Sequence, residues 1–382
     1  MSSERDIRFL AYYLPQYYPT PENDKWWGKG FTEWTNVAKA KPLFEGHYQP
    51  RLPADLSYYD LRVPEVREQQ AQLAKEYGVD GFCYYHYWFG NGRMILERPL
   101  QEVIKFKSPN FPFSVCWANE SWKGIWFGGN SKETLLEQLY PGKQDYIDHF
   151  NYLLEAFKDE RYIKIDGKCL FSVYAPYLID DIELFVTTFR TCAKEAGLGD
   201  LYLLATICPE NWDPIANGFD GAAGVSEFTS LRYITAPLYQ KFTRTELLMK
   251  RLKKIFISEE KLNLNFEERT KPLIVDYKEA IKYLLPKEKK SYDYFPCVVN
   301  DWDNTPRSAN KGLVLNNSTP ELWSEHLTEA CNHVKDNKPE QQIVFIKSWN
   351  EWAEGNYLEP DAKWGHKYLE VIKKVKVKFN GK

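Results

Sequence analysis

Apolar runs recur along the chain with helical patterns between most of them. The eight runs are Ile7–Tyr13, Val79–Tyr85, Phe113–Trp117, Cys169–Tyr174, Leu201–Ile207, Gly218–Val225, Phe295–Val299 and Ile343–Ile346. Helical periodicity or helix-start signals mark Pro64–Tyr77, Gln144–Phe157, Asp181–Ala196, Pro320–Val334 and Lys363–Phe379. Because buried strands that alternate with helices form parallel sheets, eight such repeats predict an α/β fold, a single (β/α)8 TIM barrel.

One part of the chain departs from this repeat. The segment 226–294 separates the sixth run from the seventh, and a plain loop of that length is unusual. It contains a basic helical pattern over Arg244–Phe256 and a second helical pattern over Asp276–Leu285. We therefore expect an elaborated, lid-like insertion after strand six, within one barrel that spans residues 1–382.

Polar and aromatic side chains cluster directly after five of the runs. The clusters are Tyr84-Tyr85-His86-Tyr87-Trp88, Trp117-Ala118-Asn119-Glu120, Pro209-Glu210-Asn211-Trp212, Asp301-Trp302-Asp303 and Trp349-Asn350-Glu351-Trp352. In a parallel barrel the carboxyl ends of the strands share one rim, where the loops are open to ligands. The pattern therefore predicts one concave site lined with carboxylates and indoles, whose flat apolar faces suit sugar rings.

The last cluster contains the main candidates for catalysis. The stretch Ile343–Gly355 passes from a buried strand into a segment where Glu351 and Glu354 are flanked by Trp349 and Trp352. Cleavage of a glycosidic bond needs two carboxyl groups at one anomeric carbon, and one of them protonates the leaving oxygen. Indoles also form a dry wall that can raise the pKa of one carboxyl. We predict that the two glutamates are the catalytic pair; the alternative is a solvated surface loop.

Composition narrows the class of protein. The net charge of −3 and the even spread of Lys and Arg argue against a nucleic-acid partner. Aromatic residues make up 16% of the chain, with 13 Trp and 26 Tyr, which suits an aromatic-lined ligand site. The first residues indicate a strand rather than a secretory signal, and no stretch approaches the ~20 apolar residues of a membrane span. The seven cysteines lack CxxC pairs and indicate buried free thiols, so we expect a cytoplasmic protein whose oligomeric state these patterns do not set.

Six motifs resemble those of one known family. They are YYLPQYYP near the start, FTEWTNV (Phe31–Val37), GFCYYHYWF (Gly81–Phe89), CWANESW (Cys116–Trp122), DWDNTPR (Asp301–Arg307) and SWNEWAEG (Ser348–Gly355). Their types and order are similar to the WbsX family, which is related to the glycoside hydrolase family 99 endo-α-mannosidases. The resemblance covers nearly the whole chain. It implies a single (β/α)8 barrel with two glutamates three apart after a late strand, which Glu351 and Glu354 match.

The resemblance also implies a role for each member of the pair. In the family 99 relatives the first glutamate takes the proton of the substrate 2-hydroxyl, which gives a 1,2-anhydro sugar. The second acts as general acid and then as base for water, with net retention. Glu351 would accordingly be the 2-hydroxyl base and Glu354 the acid/base. Residues three apart on a helical turn lie about 5–6 Å apart at Cβ, close to the ~5–5.5 Å of retaining enzymes, whereas an extended segment would point them to opposite faces.

The remaining residues of these motifs are candidate sugar-binding residues. The set is Glu33, Trp34, His86, Trp88, Trp117, Asn119, Glu120, Trp122, Asp301, Trp302, Asp303, Arg307, Trp349, Asn350 and Trp352. For Trp34 the alternative is an indole that anchors its loop, and for His86 it is a neutral histidine satisfied beneath the rim. Asp301, Asp303 and Arg307 have a structural salt bridge as their alternative.

Two other assignments stay open at this stage. Asn119-Glu120 resembles the Asn-Glu acid/base of other barrel glycosidases, so Glu120 as acid with Glu351 as nucleophile is a second choice of pair. Asp301-Trp302-Asp303 matches an acidic motif by which some glycosyltransferases hold a metal and a nucleotide sugar. The chain shows no Gly-rich phosphate cradle, no HExxH and no Cys/His cluster, so we expect neither a catalytic metal nor a cofactor.

These observations lead to one predicted function and two alternatives. We predict a retaining glycoside hydrolase that acts on an oligo- or polysaccharide, an α-mannoside-like or related bacterial glycan. The first alternative is a glycosyltransferase of lipopolysaccharide O-antigen or capsule biosynthesis, the role usually attached to the WbsX name. The second is a barrel that binds glycan without catalysis.

Overall fold

The centre of the molecule is a ring of parallel strands. The computed structural model describes residues 6–124, 133–225 and 271–381. In these ranges the strands of the ring are β1 (Arg8–Tyr13), β2 (Gly81–Trp88), β3 (Phe113–Trp117), β4 (Lys168–Val173), β5 (Leu201–Ala205), β6 (Gly221–Ala223), β7 (Asp293–Phe295 and Cys297–Val298) and β8 (Ile343–Ile346). Strands β3 and β8 have the predicted bounds, and β2 extends three residues beyond its prediction.

The two halves of β7 close the ring. In the order β6, β5, β4, β3, β2, β1 and β8, each strand pairs in parallel with the next. The first half of β7 pairs with β6, where Ala222 lies opposite Tyr294. The second half pairs with β8, where Cys297 lies opposite Phe345, and the Pro296 carbonyl between the halves accepts a 2.8 Å hydrogen bond from Phe345 N. The predicted (β/α)8 barrel is confirmed.

The longer helices cover the outside of the ring, whereas the short helices Glu33–Lys39 and Thr305–Ser308 lie at the rim against the turn Trp352–Glu354. The helices are α1 (Pro21–Trp27), α2 (Glu33–Lys39), α3 (Pro64–Glu76), α4 (Arg98–Phe106), α5 (Lys143–Phe157), α6 (Ile182–Glu195), α7 (Tyr277–Ala280), α8 (Thr305–Ser308), α9 (Pro320–Val334) and α10 (Lys367–Asn380). Helix α9 begins where predicted, because the Thr319 side chain accepts from Leu322 N and Pro320 occupies the first turn. Within the described ranges, no helix combines the length and the apolar character that crossing a bilayer requires.

Short paired segments complete the described secondary structure. The additional strands are Met94–Ile95, Trp122–Lys123, Thr134–Leu136, Lys164–Ile165, Asn350–Glu351 and Asn356–Tyr357. The 3-10 turns are Pro176–Leu178, Ala309–Lys311, Pro339–Gln341 and Trp352–Glu354. All seven cysteines are free, and five of them are buried, as predicted from their positions in the apolar runs.

The predicted insertion is described only in part. Residues 226–270, and with them the predicted helix Arg244–Phe256, lie outside the described residues. In place of the predicted helix Asp276–Leu285, the chain forms the strand Leu273–Asp276 and the short α7. This strand joins Leu313–Asn316 and Trp302–Asp303 in a separate three-stranded sheet. The lid-like role and the single domain over residues 1–382 stay predictions.

Alternation along the strands decides which side chains face the interior of the barrel. Tyr12 of β1 stacks on Tyr85 of β2 and on Phe345 of β8, with ring centroids 5.4 and 5.5 Å apart. Successive residues of a strand point to opposite faces. Tyr87 therefore shares the interior face with Tyr85, and Lys347, two residues after Phe345, also projects inward.

Candidate active site

The segment after β8 forms a tight hairpin at the rim of the barrel. Asn350–Glu351 pairs antiparallel with Asn356–Tyr357, and the 3-10 turn Trp352–Glu354 lies between them. We call residues 350–357 the catalytic turn. Because the turn is helical, it brings the side chains of Glu351 and Glu354 to the same side. Gly355 ends it with a φ of 69°, in the left-handed region that favours glycine.

Side chains from elsewhere hold the catalytic turn in place. Asn350 Oδ1 accepts from Leu14 N at 2.8 Å, and its Nδ2 donates to the Leu14 carbonyl at 3.0 Å. The Tyr17 hydroxyl donates to the Asn350 carbonyl and accepts from Trp352 N at 3.2 Å. The Trp352 indole donates to the buried carboxylate of Glu359 at 2.6 Å. Asn350 and Trp352, predicted to bind sugar, are thus buried anchors of the turn.

Three carboxylates and two cations form a continuous chain of contacts, which we call the carboxylate cluster. Lys347 Nζ lies 3.0 and 2.9 Å from the two carboxylate oxygens of Glu351, and 3.5 Å from Glu354 Oε2. Arg307 donates to Glu354 Oε1 at 2.6 Å and, from Nε and a terminal nitrogen, to Glu33 Oε2 at 3.0 and 2.7 Å. All five side chains are buried or nearly so. Glu33, Arg307, Glu351 and Glu354 thus lie together, as predicted.

The carboxylate cluster contains one more acid than base, so full ionisation would leave an uncompensated buried charge. Burial raises the pKa of Glu351 to about 8; the charge of Glu354 adds to this effect and Lys347 opposes it. Burial also acts to raise the pKa of Glu354, but the charges of Arg307 and Lys347 outweigh it and lower the pKa to about 2. The pKa of Glu351 is thus raised and that of Glu354 lowered, so the proton of the pair resides mainly on Glu351.

Aromatic rings enclose the carboxylate cluster. Lys347 Nζ lies 5.7 Å from the centroid of the Tyr85 ring and 5.5 Å from that of Trp302, a predicted sugar-binding residue. Burial raises the pKa of Tyr85, of Tyr87 and of the half-buried Tyr174, and the charge of Glu351 raises each further. The hydroxyls therefore stay protonated and are available as hydrogen-bond donors beside the glutamates.

Asp301 and Asp303 belong to a neighbouring ion-pair network. Arg51 donates to Asp301 Oδ2 at 2.7 Å and to the carbonyl of the glycine in the catalytic turn at 3.2 Å. Asp303 Oδ2 lies 2.7 Å from His47 Nε2 and accepts from Gln49 Nε2 at 2.6 Å. These contacts tie segment 47–51 to the rim and show the salt bridge of the alternative interpretation for both aspartates. Their role in sugar binding stays a prediction.

Three further candidates face away from the carboxylate cluster. His86 Nε2 lies 2.9 Å from Nε2 of His149 on α5, and Trp88 stacks on the same imidazole at 4.8 Å. The Trp117 indole donates to the Trp88 carbonyl at 2.9 Å. These side chains lie between the barrel and its helices because they occupy the outward positions of β2 and β3. The prediction that they bind sugar is therefore corrected, and His86 is the satisfied histidine of the alternative interpretation.

Trp34, Asn119 and Trp349 also have structural partners. The Trp34 indole donates to the Tyr59 carbonyl at 2.8 Å, which is the loop-anchoring alternative. Asn119 accepts from Ala175 N and donates to the Ala175 carbonyl, both at 2.8 Å, and so links the ends of β3 and β4. Trp349 is fully buried on the outer side of β2. Packing of these three side chains inside the protein leaves no face for a sugar.

Glu120 and Trp122 remain partly exposed at the rim. The Trp122 ring lies 5.4 Å from Tyr87 and 6.0 Å from Trp26. Burial raises the pKa of Glu120, and its charge acts on Tyr174, which also lies within electrostatic range of Glu351 and Glu354. Both residues thus border the same region as the carboxylate cluster, and their sugar-binding role stays a prediction.

A sequence profile places this architecture in a family. The profile described as glycosyltransferase WbsX matches residues 9–372. The chain belongs to the WbsX family. Its curated relatives include two proteins named uncharacterized protein WxcX, from Xanthomonas campestris pv. campestris strains ATCC 33913 and B100. Each is 35% identical over 365 residues. The match covers 95% of this chain but 49% of each relative, so this WbsX-family chain spans about half their length.

Solved structures share the fold of this WbsX-family member. A glycoside hydrolase-like protein superposes with a TM-score of 0.55 at 12% identity, over 98% of this chain and 95% of that chain. The GH99 endo-α-mannosidase of Bacteroides thetaiotaomicron, in complex with Bis-Tris propane, superposes with a TM-score of 0.52 at 15% identity, over 98% of each chain. At such identities the likeness shows the fold alone. The resemblance stated from the motifs is confirmed.

Sequence reasoning missed several residues that this WbsX-family chain brings to the site. Lys347 touches both glutamates, and the rings of Tyr85, Tyr87 and Tyr174 surround them. The signal for Lys347 was the period of two along β8, since it follows the interior residue Phe345 by two positions. The same alternation points Tyr85 and Tyr87 inward and His86 and Trp88 outward.

The acidic motif Asp301-Trp302-Asp303 does not present free ligands to a metal. Both aspartates are occupied by the cations and amides of segment 47–51, and Thr305 donates to Asp303 Oδ1 at 2.6 Å. In the described ranges, no three His, Cys, Asp or Glu side chains are grouped so that they could hold a metal ion. The residues of this motif therefore hold the rim together.

Proposed function

We propose that this WbsX-family chain is a carbohydrate-active enzyme that acts on a glycosidic bond at the carboxylate cluster. In its finer form the proposal is a retaining glycoside hydrolase for an α-mannoside-like or related bacterial glycan. The observation that supports it is the pair Glu351 and Glu354, which lie side by side at the barrel rim and share one proton. Glycosidic cleavage requires a general acid and a second carboxyl group that act on one anomeric carbon.

Each neighbour of the pair contributes to that chemistry. Arg307 and Lys347 hold the two carboxylates by charge-assisted hydrogen bonds, which limits the freedom of both groups before a sugar arrives. Tyr85 and Trp302 form apolar walls around Lys347, and a water-poor surrounding strengthens each electrostatic interaction. The buried surplus of negative charge keeps one proton in the site near neutral pH, so an acid is available there.

The division of roles within the pair is the finer part of the proposal. We assign Glu351 as the 2-hydroxyl base and Glu354 as the acid/base, as the family relation implies. In the sugar-free protein the proton lies mainly on Glu351, because Arg307 stabilises the ionised form of Glu354. This assignment therefore requires the proton to pass from Glu351 to Glu354 when a sugar binds. The reverse assignment requires no such transfer.

Kinetics with two leaving groups separates these roles. We expect Glu354→Gln to lose about 10²–10⁴ in turnover of a methylumbelliferyl α-mannoside. With the 2,4-dinitrophenyl α-mannoside, whose leaving group needs no proton, it should retain a rapid first step, seen as a burst of dinitrophenolate, while hydrolysis of the intermediate, which needs Glu354 as base, stays slow. Glu351→Gln should lose both activities. The control is Glu370→Gln, which changes an exposed glutamate on α10. Exchanged phenotypes would reverse the roles, and full activity in both variants would remove the pair from catalysis.

The same assay tests Glu120 as the acid of a second pairing with Glu351. Glu120 is partly exposed and its pKa is raised by burial, both of which suit an acid. It makes no contact with the carboxylate cluster in the described structure. We therefore expect Glu120→Gln to weaken sugar binding through KM and to preserve the dependence of turnover on the leaving group. A selective loss of activity on the methylumbelliferyl substrate in Glu120→Gln, with release of dinitrophenolate spared, would transfer the acid role to this residue.

The family description favours one alternative, a glycosyltransferase of lipopolysaccharide O-antigen or capsule assembly. This chain spans about half the length of the WxcX relatives, so each of those proteins has a further part that this sequence does not match. The seven free thiols agree with the cytoplasmic location that we propose for either activity. A nucleoside diphosphate sugar that raises the melting temperature, while the mannose monosaccharide does not, would favour transfer. The buried carboxylate cluster, with one more acid than base, counts against a barrel that only binds glycan.

A further inference from the structure

Lys347 occupies an unusual place for a lysine. It lies one residue past the end of β8, with its side chain inside the barrel and only 5% exposed. Burial of an ammonium group is costly unless it is paired. Its Nζ contacts both oxygens of Glu351 at 3.0 and 2.9 Å and lies 3.5 Å from Glu354 Oε2 and from the Tyr85 hydroxyl. Within the described part of the chain, the amine therefore contacts both members of the proposed pair.

The surroundings of Lys347 contain few groups that carry charge. The titratable and charged groups that act on it and on the pair are Glu33, Tyr85, Tyr87, Cys116, Tyr174, Cys297 and Arg307. Burial raises the pKa of the tyrosines and of Cys116, so these groups are neutral near pH 7. Glu33 and Arg307 form an ion pair with each other. The positive charge that acts on the pair therefore comes from Arg307 and from Lys347 itself.

The two cations divide the pair between them. Arg307 reaches Glu354 and not Glu351, whereas Lys347 binds Glu351 through both oxygens and reaches Glu354 at a longer distance. We propose that Lys347 is a positioning residue that orients the Glu351 carboxyl and sets how one proton is divided between Glu351 and Glu354. Its effect on turnover rests on the proposed function, whereas the division of the proton is a property of the sugar-free protein.

Removal of this charge has a predictable direction. Lys347→Met keeps an unbranched side chain of similar length but removes the cation nearest to Glu351. A nearby positive charge favours the ionised form of a carboxyl, so its loss favours the protonated form of both glutamates. We expect the protonation midpoint of the pair to rise by at least about one pH unit. Lys347→Arg keeps the charge and should leave the midpoint within about half a unit of the wild type.

Infrared pH-difference spectroscopy on the sugar-free full chain measures this midpoint without any substrate. The C=O stretch of a protonated carboxyl is separate from the bands of ionised carboxylates, and Glu351→Gln and Glu354→Gln assign it to the pair. We expect the wild-type band to titrate in the alkaline range, the midpoint of Lys347→Met to lie higher, and that of Lys347→Arg to be nearly unchanged. If circular dichroism shows that Lys347→Met does not fold, Lys347→Gln replaces it with the same expected shift.

The result decides the proposal in either direction. An unchanged midpoint in Lys347→Met would overturn it, because a merely space-filling Lys347 predicts that result. An equal shift in Lys347→Arg, which keeps the charge, or the absence of a titrating band in the wild type would overturn it as well. Where glycoside turnover is measurable, the pH optimum should move upward in Lys347→Met by the same interval. Absence of turnover in the wild type would contradict the proposed function, and the infrared titration would still decide the role of Lys347.

Discussion

Arg307 offers the most direct test of the electrostatics of the carboxylate cluster. Its guanidinium is shared between Glu33 and Glu354, with nitrogen–oxygen distances of 2.7 and 2.6 Å, and its side chain is 11% exposed. Arg307→Met removes this charge and keeps much of the apolar stem. The variant leaves three buried carboxyls with Lys347 as their remaining cation in the carboxylate cluster. We expect the variant to fold with a reduced free energy of unfolding, and we expect this reduction to exceed the loss of a single local contact.

The expected cost follows from the burial of the ions. Loss of one partner of a buried ion pair typically costs about 3–5 kcal/mol, and Arg307 serves two partners, so we expect the upper part of that range. For 382 residues the unfolding entropy is about 0.8 kcal/mol per kelvin near 60 °C. The melting temperature should therefore fall by about 5–6 °C at pH 8.

The cost should depend on pH with a definite sign. In the wild type the pKa of Glu354 is lowered to about 2, below its value in the unfolded chain, so its stabilising effect is present above the unfolded pKa and is lost as the pH falls. Without Arg307, burial dominates and raises the folded pKa above the unfolded one. Stability is then lost as the pH rises through the folded pKa. The deficit of Arg307→Met should thus be larger at pH 8 than at pH 5, by about 1.4 kcal/mol for each unit by which the pKa rises.

Denaturant unfolding of both proteins at pH 5 and pH 8 measures this difference. The matched control is Arg93→Met, since Arg93 lies 2.6 Å from Glu22 but its side chain is 52% exposed. An exposed pair typically contributes at most about 1 kcal/mol, so the control should differ little from the wild type at either pH. A deficit for Arg307→Met that matches the control, or that is equal at the two pH values, would refute the electrostatic account of the cluster.

Two further predictions concern the support of the catalytic turn. Burial raises the pKa of Glu359 to about 7, above its unfolded value, so the stabilising effect of this carboxyl is lost as the pH rises. We therefore expect the free energy of unfolding of Glu359→Gln, relative to that of the wild type, to be higher at pH 8 than at pH 4.5 by up to ~3 kcal/mol. In Gly355→Ala the new Cβ would lie 2.7 Å from a backbone nitrogen, so we expect a loss of about 1–3 kcal/mol and at least a tenfold fall in turnover. Gly365→Ala, at a φ of 55° in open space, is its control and should cost less in melts and leave turnover intact.

The barrel could be predicted from sequence because its strands are buried on both faces. Runs such as Phe113–Trp117 and Ile343–Ile346 are largely apolar, and they begin after Pro112 and after Gln342 and give way to polar residues at their other ends. The helix Pro320–Val334 was equally clear, since a capping threonine and a proline mark its start. The strand Leu273–Asp276 was not predicted, because its partner Leu313–Asn316 is distant in sequence and the pairing leaves no local pattern.

The sequence located the two glutamates at the centre of the candidate site, but it was less informative about the residues around them. Glu351 and Glu354 could be found because their spacing and the preceding strand are local features. Trp88 and Trp117 were misassigned because aromatic residues near a strand end were taken as rim residues without regard to alternation, which points both outward. Lys347 was missed since an isolated lysine after an apolar strand carries no catalytic signature. Only the register of β8 against its neighbours brings it beneath the pair.

The charge composition of the carboxylate cluster links its stability to its chemistry. Apolar side chains of similar volume in place of buried ion pairs are often neutral or stabilising, so fold stability alone gives little reason for five buried ionisable groups. With equal numbers of acids and bases, the buried charges would balance without a retained proton. With Glu33 paired to Arg307, the surplus acid belongs to Glu351 and Glu354, and the site keeps a proton where a leaving oxygen needs one. Both cleavage and transfer of a glycosidic bond use such a proton, so the geometry supports glycosidic chemistry before it distinguishes the acceptor, which is water or a second sugar.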